Sequence, residues 1–181
     1  MKKLSLKVMT ALVAISLIGP TVSTSAVEVG TKIQGYKNSE EWKQNKDEIT
    51  SKKDTIKKNH ETNKALREDI VKKRDAIKNL RKEIKDNNKK LTKEELSKIK
   101  EQIGNIKTDK EKLEGLKGVI KKDSEIIKDD LKNKNFADAK IQLDNIISTQ
   151  NTRTDDLKKL NTDLDTLINI VQSAVNNTQS K

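Results

Sequence analysis

Counting by sevens from Trp42 gives Ile49, Ile56, Asn63, Ile70, Ile77, Ile84 and Leu91. A residue repeated every seven positions stays on one stripe of an α-helix, because two turns take 7.2 residues on the ~3.6-residue period. The chain's one proline, Pro20, precedes the whole row, so nothing after it forces a helix to stop. The companion row, three residues on, is Asn45, Lys52, Asn59, Leu66, Lys73, Leu80 and Asn87. The first helix therefore has a strong apolar a row and a weak, mostly polar d row.

The count resets after Leu91. Leu96, Ile99, Ile103, Ile106, Leu113, Ile120, Ile127 and Leu131 give a second stripe, interrupted by Lys110, Lys117 and Ser124. Gly104, Gly115 and Gly118 weaken this helix by about 1 kcal/mol each relative to alanine. A third stripe has Phe136, Leu143, Gln150, Leu157, Leu164 and Val171 at a, with Ala139, Ile146, Arg153, Leu160, Leu167 and Ala174 at d. Ile147, Ile168 and Val175 widen it, as a helix touching two neighbours requires. Asn38 with Glu41, or Ser39 in its place, opens the first helix; Thr92 with Glu95 opens the second and Asn135 the third. The corners near 87–92 and 133–135 are short, so consecutive helices should run antiparallel.

These patterns predict an all-α chain, an elongated antiparallel three-helix bundle or coiled coil over 39–176, with helices about 39–89, 93–133 and 136–175. Residues 27–38 read as extended and 177–181 as a frayed tail. The weak d row of the first helix leaves open a dimeric or larger coiled coil. Folding at the two corners sets Asn63 near Lys117 and near Gln150 or Arg153, a polar layer that fixes register or frames a ligand site. The same register brings Trp42 to Phe136, with Tyr36 close by. This aromatic tip is either an apolar cap or a partner contact.

The N-terminus sets the expected compartment. Lys2, Lys3 and Lys7 precede an apolar run from Val8 to Ile18, short of the ~20 residues that span a membrane, and Gly19-Pro20 follows. Small residues from Ser23 to Ala26 place cleavage after Ala26, making 1–26 a signal peptide and the mature chain secreted or wall-associated. The chain has no cysteine, which excludes a disulfide framework and a thiolate metal site. No phosphate loop, calcium loop or hydrolase motif occurs, and the single histidine, His60, lies on a charged flank. No catalytic, cofactor-binding or metal residue is assigned, and no enzyme activity is expected.

Charge is the remaining signal. Removing the three leader lysines from the formal +11 leaves +8. The excess is concentrated in residues 40–90, where 17 Lys/Arg face 11 Asp/Glu. There Lys46, Lys53, His60, Arg67, Arg74 and Arg81 form an e row beside an acidic f row of Asp47, Asp54, Glu61, Glu68 and Asp75. If the e row faces the third helix, Arg67 meets Asp156 and Arg74 meets Asp163. Lys57, Lys58, Lys64, Lys72, Lys78 and Lys85 at b and c face solvent and are the candidate contacts for a polyanion. The acidic row and the lack of interleaved aromatics argue against nucleic acid. The partners expected are a protein, a second copy, or an anionic cell-wall or membrane-surface polymer bound non-specifically.

The stretch from Asn135 to Ile168, after a Lys/Glu-rich hairpin and a leader, resembles the small exported coiled-coil proteins of Gram-positive bacteria. Leu91-Thr92-Lys93-Glu94-Glu95 also resembles the LTxxQ motif of the Spy/CpxP periplasmic chaperones, with Glu95 in place of the glutamine. The first resemblance implies a structural or interaction role at the cell envelope. The second implies a holdase for unfolded exported proteins.

Overall fold

The computed structural model describes residues 40–177. The expected leader with its Ala26 site, the segment 27–38 with Tyr36, the Asn38 and Ser39 caps, and residues 178–181 lie outside the described residues. Of the described residues 91% are helical and none forms a strand. There are four helices among them: α1 Glu40–Asp86, α2 Lys93–Gly115, α3 Val119–Lys132 and α4 Phe136–Asn177.

The helices pack into two compact units. The first holds residues 40–65 and 113–155, the second 66–112 and 156–177. In the first, Trp42, Ile49 and Ile56 of α1, Ile127 and Leu131 of α3, and Phe136, Ala139, Leu143 and Ile146 of α4 form one core. Ile120 and Ile147 pack against it. In the second, Ile70, Ile77 and Ile84 of α1 are buried, as are Leu96, Ile99 and Ile106 of α2. From α4 this unit buries Leu157, Leu160, Leu164, Leu167 and Val171. Every a position of α1 from Trp42 to Ile84 is thus buried, Asn63 included.

The helix ends follow from backbone chemistry. At the end of α1, Asn88 takes the left-handed conformation (φ 49°). The Lys89 amide then donates to the Ile84 carbonyl and the Asn88 amide to that of Lys85, the paired bonds of a Schellman stop. Asparagine tolerates this φ better than most residues. The start of α2 is a reciprocal cap. The Glu95 amide donates to Thr92 Oγ1 at 3.2 Å, and the Thr92 amide donates to Glu95 Oε2 at 2.8 Å. α3 ends like α1, with Lys134 at φ 62° and its neighbour Asn135 donating to the Asp130 carbonyl.

The second predicted helix departs from expectation. The sequence reads 93–133 as a single helix, whereas α2 stops at Gly115 and α3 begins at Val119. Gly118 sits at φ 84°, a conformation that costs glycine little, and starts α3 with no side-chain cap. The α2 stripe also differs. Gln102 and Asp109 are buried with Ile99, Ile106 and Leu113, while Ile103 and Lys110 are only half-buried. Lys117, expected in a core layer with Asn63, lies exposed in the turn between α2 and α3.

Two substitutions test this account. Thr92→Ala removes the acceptor of the α2 cap and should cost about 1 kcal/mol in urea unfolding. Lys134→Gly relieves a left-handed lysine and should raise stability by roughly 1 kcal/mol; a loss would show that the lysine side chain matters more than its φ.

Candidate functional site

The polar d row of α1 is where the structure departs most usefully from a plain apolar seam. In the first unit, Lys140 Nζ donates to Glu48 at 2.9 Å, Lys52 Nζ to Asp144 at 2.6 Å, and Asn59 Nδ2 to Asn151 at 2.9 Å. In the second unit, Lys73 Nζ donates to Asp165 at 2.8 Å and to Asp69 at 3.0 Å. Each of these α1–α4 pairs is separated by 92 residues. The bond to Asp144 raises the Lys52 pKa against the opposing effect of burial. For Lys73 burial is the largest influence and lowers the pKa, yet the bonds to Asp165 and Asp69 leave it raised.

Buried amides add to this. Asn63, 3% exposed, donates to the Gln150 carbonyl at 3.3 Å and accepts from Thr154 Oγ1 at 2.9 Å. Asn161 donates to the Leu66 carbonyl at 3.1 Å. The polar interruption at Asn63 is therefore paired within the first unit.

Because α1 reaches α4 through its d and g rows, its e row lies on the other flank of the buried a row. The expected contact from Arg67 to Asp156 is not among the ion pairs formed, and Asp163 is held by Lys159 at 2.7 Å. Arg67 is half-buried, and burial lowers its pKa while Glu68 opposes the shift.

A second cluster, which counting apolar residues missed, joins α2 and α4. Asp109 is only 1% exposed, and Lys159 Nζ lies 2.9 Å from it and 2.7 Å from Asp163. Lys159 thus bridges the two carboxyl groups. Burial, reinforced by Asp163, raises the Asp109 pKa. Burial opposes ionisation of Asp163 too, but the bond from Lys159 outweighs it and lowers its pKa. Beside them Gln102 donates to the Asp163 backbone carbonyl at 2.9 Å. The usable signal was the heptad spacing of Gln102 and Asp109, each three residues after a buried isoleucine.

The structure separates the six lysines proposed as polyanion contacts. All six are exposed. Lys57, Lys64, Lys78 and Lys85 occupy the b row, adjacent to e, whereas Lys58 and Lys72 occupy c. On a helix the f row, here Asp54, Glu61, Glu68 and Asp75, runs between b and c. They form two strips. Trp42 and Phe136 meet with ring centroids 6.0 Å apart and are 8% and 5% exposed. Both belong to the core of the first unit. Thr92 and Glu95 of the LTxxE stretch are engaged in the α2 cap.

No described group of three or more His, Asp or Glu is arranged to hold a metal ion, and no helix among the described residues is long and apolar enough to cross a membrane. A depression lined by Asp47, Thr50, Ser51, Asp54, Thr55 and Lys58 is a shallow, open face of α1 alone. Comparison with family models, with curated proteins and with solved structures finds no match.

The carboxyl pair carries a pH prediction. A raised carboxyl pKa means the folded chain holds the proton more tightly than the unfolded chain. The contribution of Asp109 is then fully present below the unfolded value and is lost as pH rises through the folded one. Asp163, lowered, contributes above its unfolded value and loses that contribution as pH falls through its folded one. Asp109→Asn fixes a neutral, hydrogen-bonding side chain. It should raise the melting temperature near about pH 7 and leave it nearly unchanged near about pH 3; a drop at the higher pH would mean the Lys159 bond outweighs burial.

Proposed function

We propose that this chain is an exported, non-enzymatic helical interaction protein that works at or outside the cell envelope through coiled-coil and electrostatic contacts. Its architecture on this reading is an antiparallel three-helix bundle. The constant 92-residue offset between α1 and α4 supports helices running the same way. On α2 and α4 the numbers run oppositely, Gln102 with Asp163 and Asp109 with Lys159, which supports α2 opposed to α4.

The observation that carries the functional reading is a row of exposed lysines along one edge of α1. The d and g rows of α1 spend their charge on α4, while the b row of Lys57, Lys64, Lys78 and Lys85 points outwards. Exposed cations on one edge of a mature chain with formal charge +8 attract polyanions over about a Debye length, ~8 Å at physiological salt. The expected leader ending at Ala26 places those cations outside the membrane, where wall polymers and lipid headgroups are anionic. The holdase alternative rests on Leu91 to Glu95, whose Thr92 and Glu95 already have a capping role. Suppression of client aggregation at equimolar ratio would favour it.

The test is co-sedimentation of the mature chain with purified cell walls. Pelleting at low salt, reversed by adding salt, is expected. A chain that stays in the supernatant at low salt contradicts the envelope reading.

A further inference from the structure

A helix carries partial positive charge at its N-terminus and partial negative charge at its C-terminus, so acids suit the first turn and bases the last. α1 begins with Glu40 and Glu41 and has Lys85 in its last turn; α2 begins with Glu94 and Glu95 and has Lys112 there. α4 has Asp138 in its first turn. In α3 the order is reversed. Its first turn has no acid and holds Lys121 and Lys122, while Asp129 and Asp130 stand in its last turn beside Lys132. Each end of α3 thus holds two charges of the unfavourable sign.

Its other supports are weak as well. α3 has 14 residues, a length at which an isolated helix is marginal in water. It starts at Gly118 with no side-chain cap and buries only Ser124, Ile127 and Leu131. The Ser124 hydroxyl donates back to the Ile120 carbonyl of its own helix at 2.5 Å, a bond that does nothing to tie α3 to a neighbour. Asp130 Oδ2 is buried without a hydrogen-bond partner. Burial, then Asp138 of α4 and the adjacent Asp129, raise the Asp130 pKa, so its charged form is disfavoured where it sits. The other two helices of the first unit are joined directly to each other. Lys140 donates to Glu48, Lys52 to Asp144 and Asn59 to Asn151, and none of these bonds passes through α3.

We propose that α3 is a detachable strap, which lifts off the first unit by itself while α1 and α4 stay joined. Its release uncovers the aliphatic seam of Ile49, Ile56, Leu143 and Ile146, with which Ile127 and Leu131 form one core. A left-handed residue stands just outside each end of α3, Gly118 at φ 84° and Lys134 at φ 62°, and these two turns are the pivots. The opening is local because the α1–α4 bonds survive it. It is independent of what the exposed lysines of α1 bind.

The experiment is amide hydrogen exchange of the full chain, read by mass spectrometry for residues 119–132 against 46–60 and 139–152. The α3 amides should exchange at least about tenfold faster than those of the two facing segments. Low concentrations of urea should barely change the α3 rate, because a local opening exposes little surface, and should accelerate the other two segments. Lys122→Glu/Asp129→Lys, at exposed positions, corrects one charge at each end and should slow exchange in α3 alone by roughly threefold or more. Asp130→Asn removes the unpartnered charge and should also slow it. Equal exchange in all three segments overturns the strap, since the first unit would then open as a whole. So does a steep urea dependence of the α3 rate, or an α3 rate that neither variant slows.

Discussion

An apolar row one residue wide leaves a helix little to hold it against rotation or sliding, and α1 has little more than that. Its a positions bury Trp42, Ile49, Ile56, Ile70, Ile77 and Ile84, and burial of such side chains stabilises by about 1.5–3 kcal/mol each before entropy is counted. The d row beside them is mostly amide or ammonium. Everything else in the packing of α1 depends on how that polar row is satisfied. The answer is a set of side-chain bonds to α4 at one fixed offset, Lys52 to Asp144 and Asn59 to Asn151 in one unit and Lys73 to Asp165 in the other.

Bonds of this kind add little net stability, since exposed ion pairs are typically worth ~0–1 kcal/mol. Their effect is on choice. A one-residue slip would separate Lys52 from Asp144 and turn Asn63 away from the Gln150 carbonyl and Thr154. The buried amides make the same selection at higher stakes, because an unpaired polar group in a core costs about 1–3 kcal/mol. The Asp109–Asp163 pair with Lys159 fills this role between α2 and α4. Specificity in this fold comes from polar pairs and stability from isoleucine and leucine.

The division of charge follows from the same arrangement. The d-row lysines Lys52 and Lys73 are matched to Asp144 and Asp165, while the b-row lysines stand exposed. That is why the b row of α1 from 57 to 85, which holds no carboxylate, stands at the surface. It is also why the six lysines grouped by exposure alone do not make one surface: the f-row acids part Lys58 and Lys72 from the others.

The sequence by itself determined the all-helical fold and the buried a row of α1. The stripe of α4 was legible too, as was the Thr92–Glu95 cap, because heptad spacing and capping chemistry are local. It did not reveal that Gln102 and Asp109 displace Ile103 and Lys110 from the α2 stripe. Hydrophobicity favours the isoleucine, and only the presence of Lys159 and the Asp163 carbonyl on α4 makes the polar pair acceptable inside. Nor did it reveal the break at Gly118, since a glycine in a helical pattern permits a left-handed turn without requiring one. Which flank of α1 meets α4 was likewise decided by tertiary packing. Rows d and e both border the buried row, and only a partner helix with its carboxylates in register tells them apart.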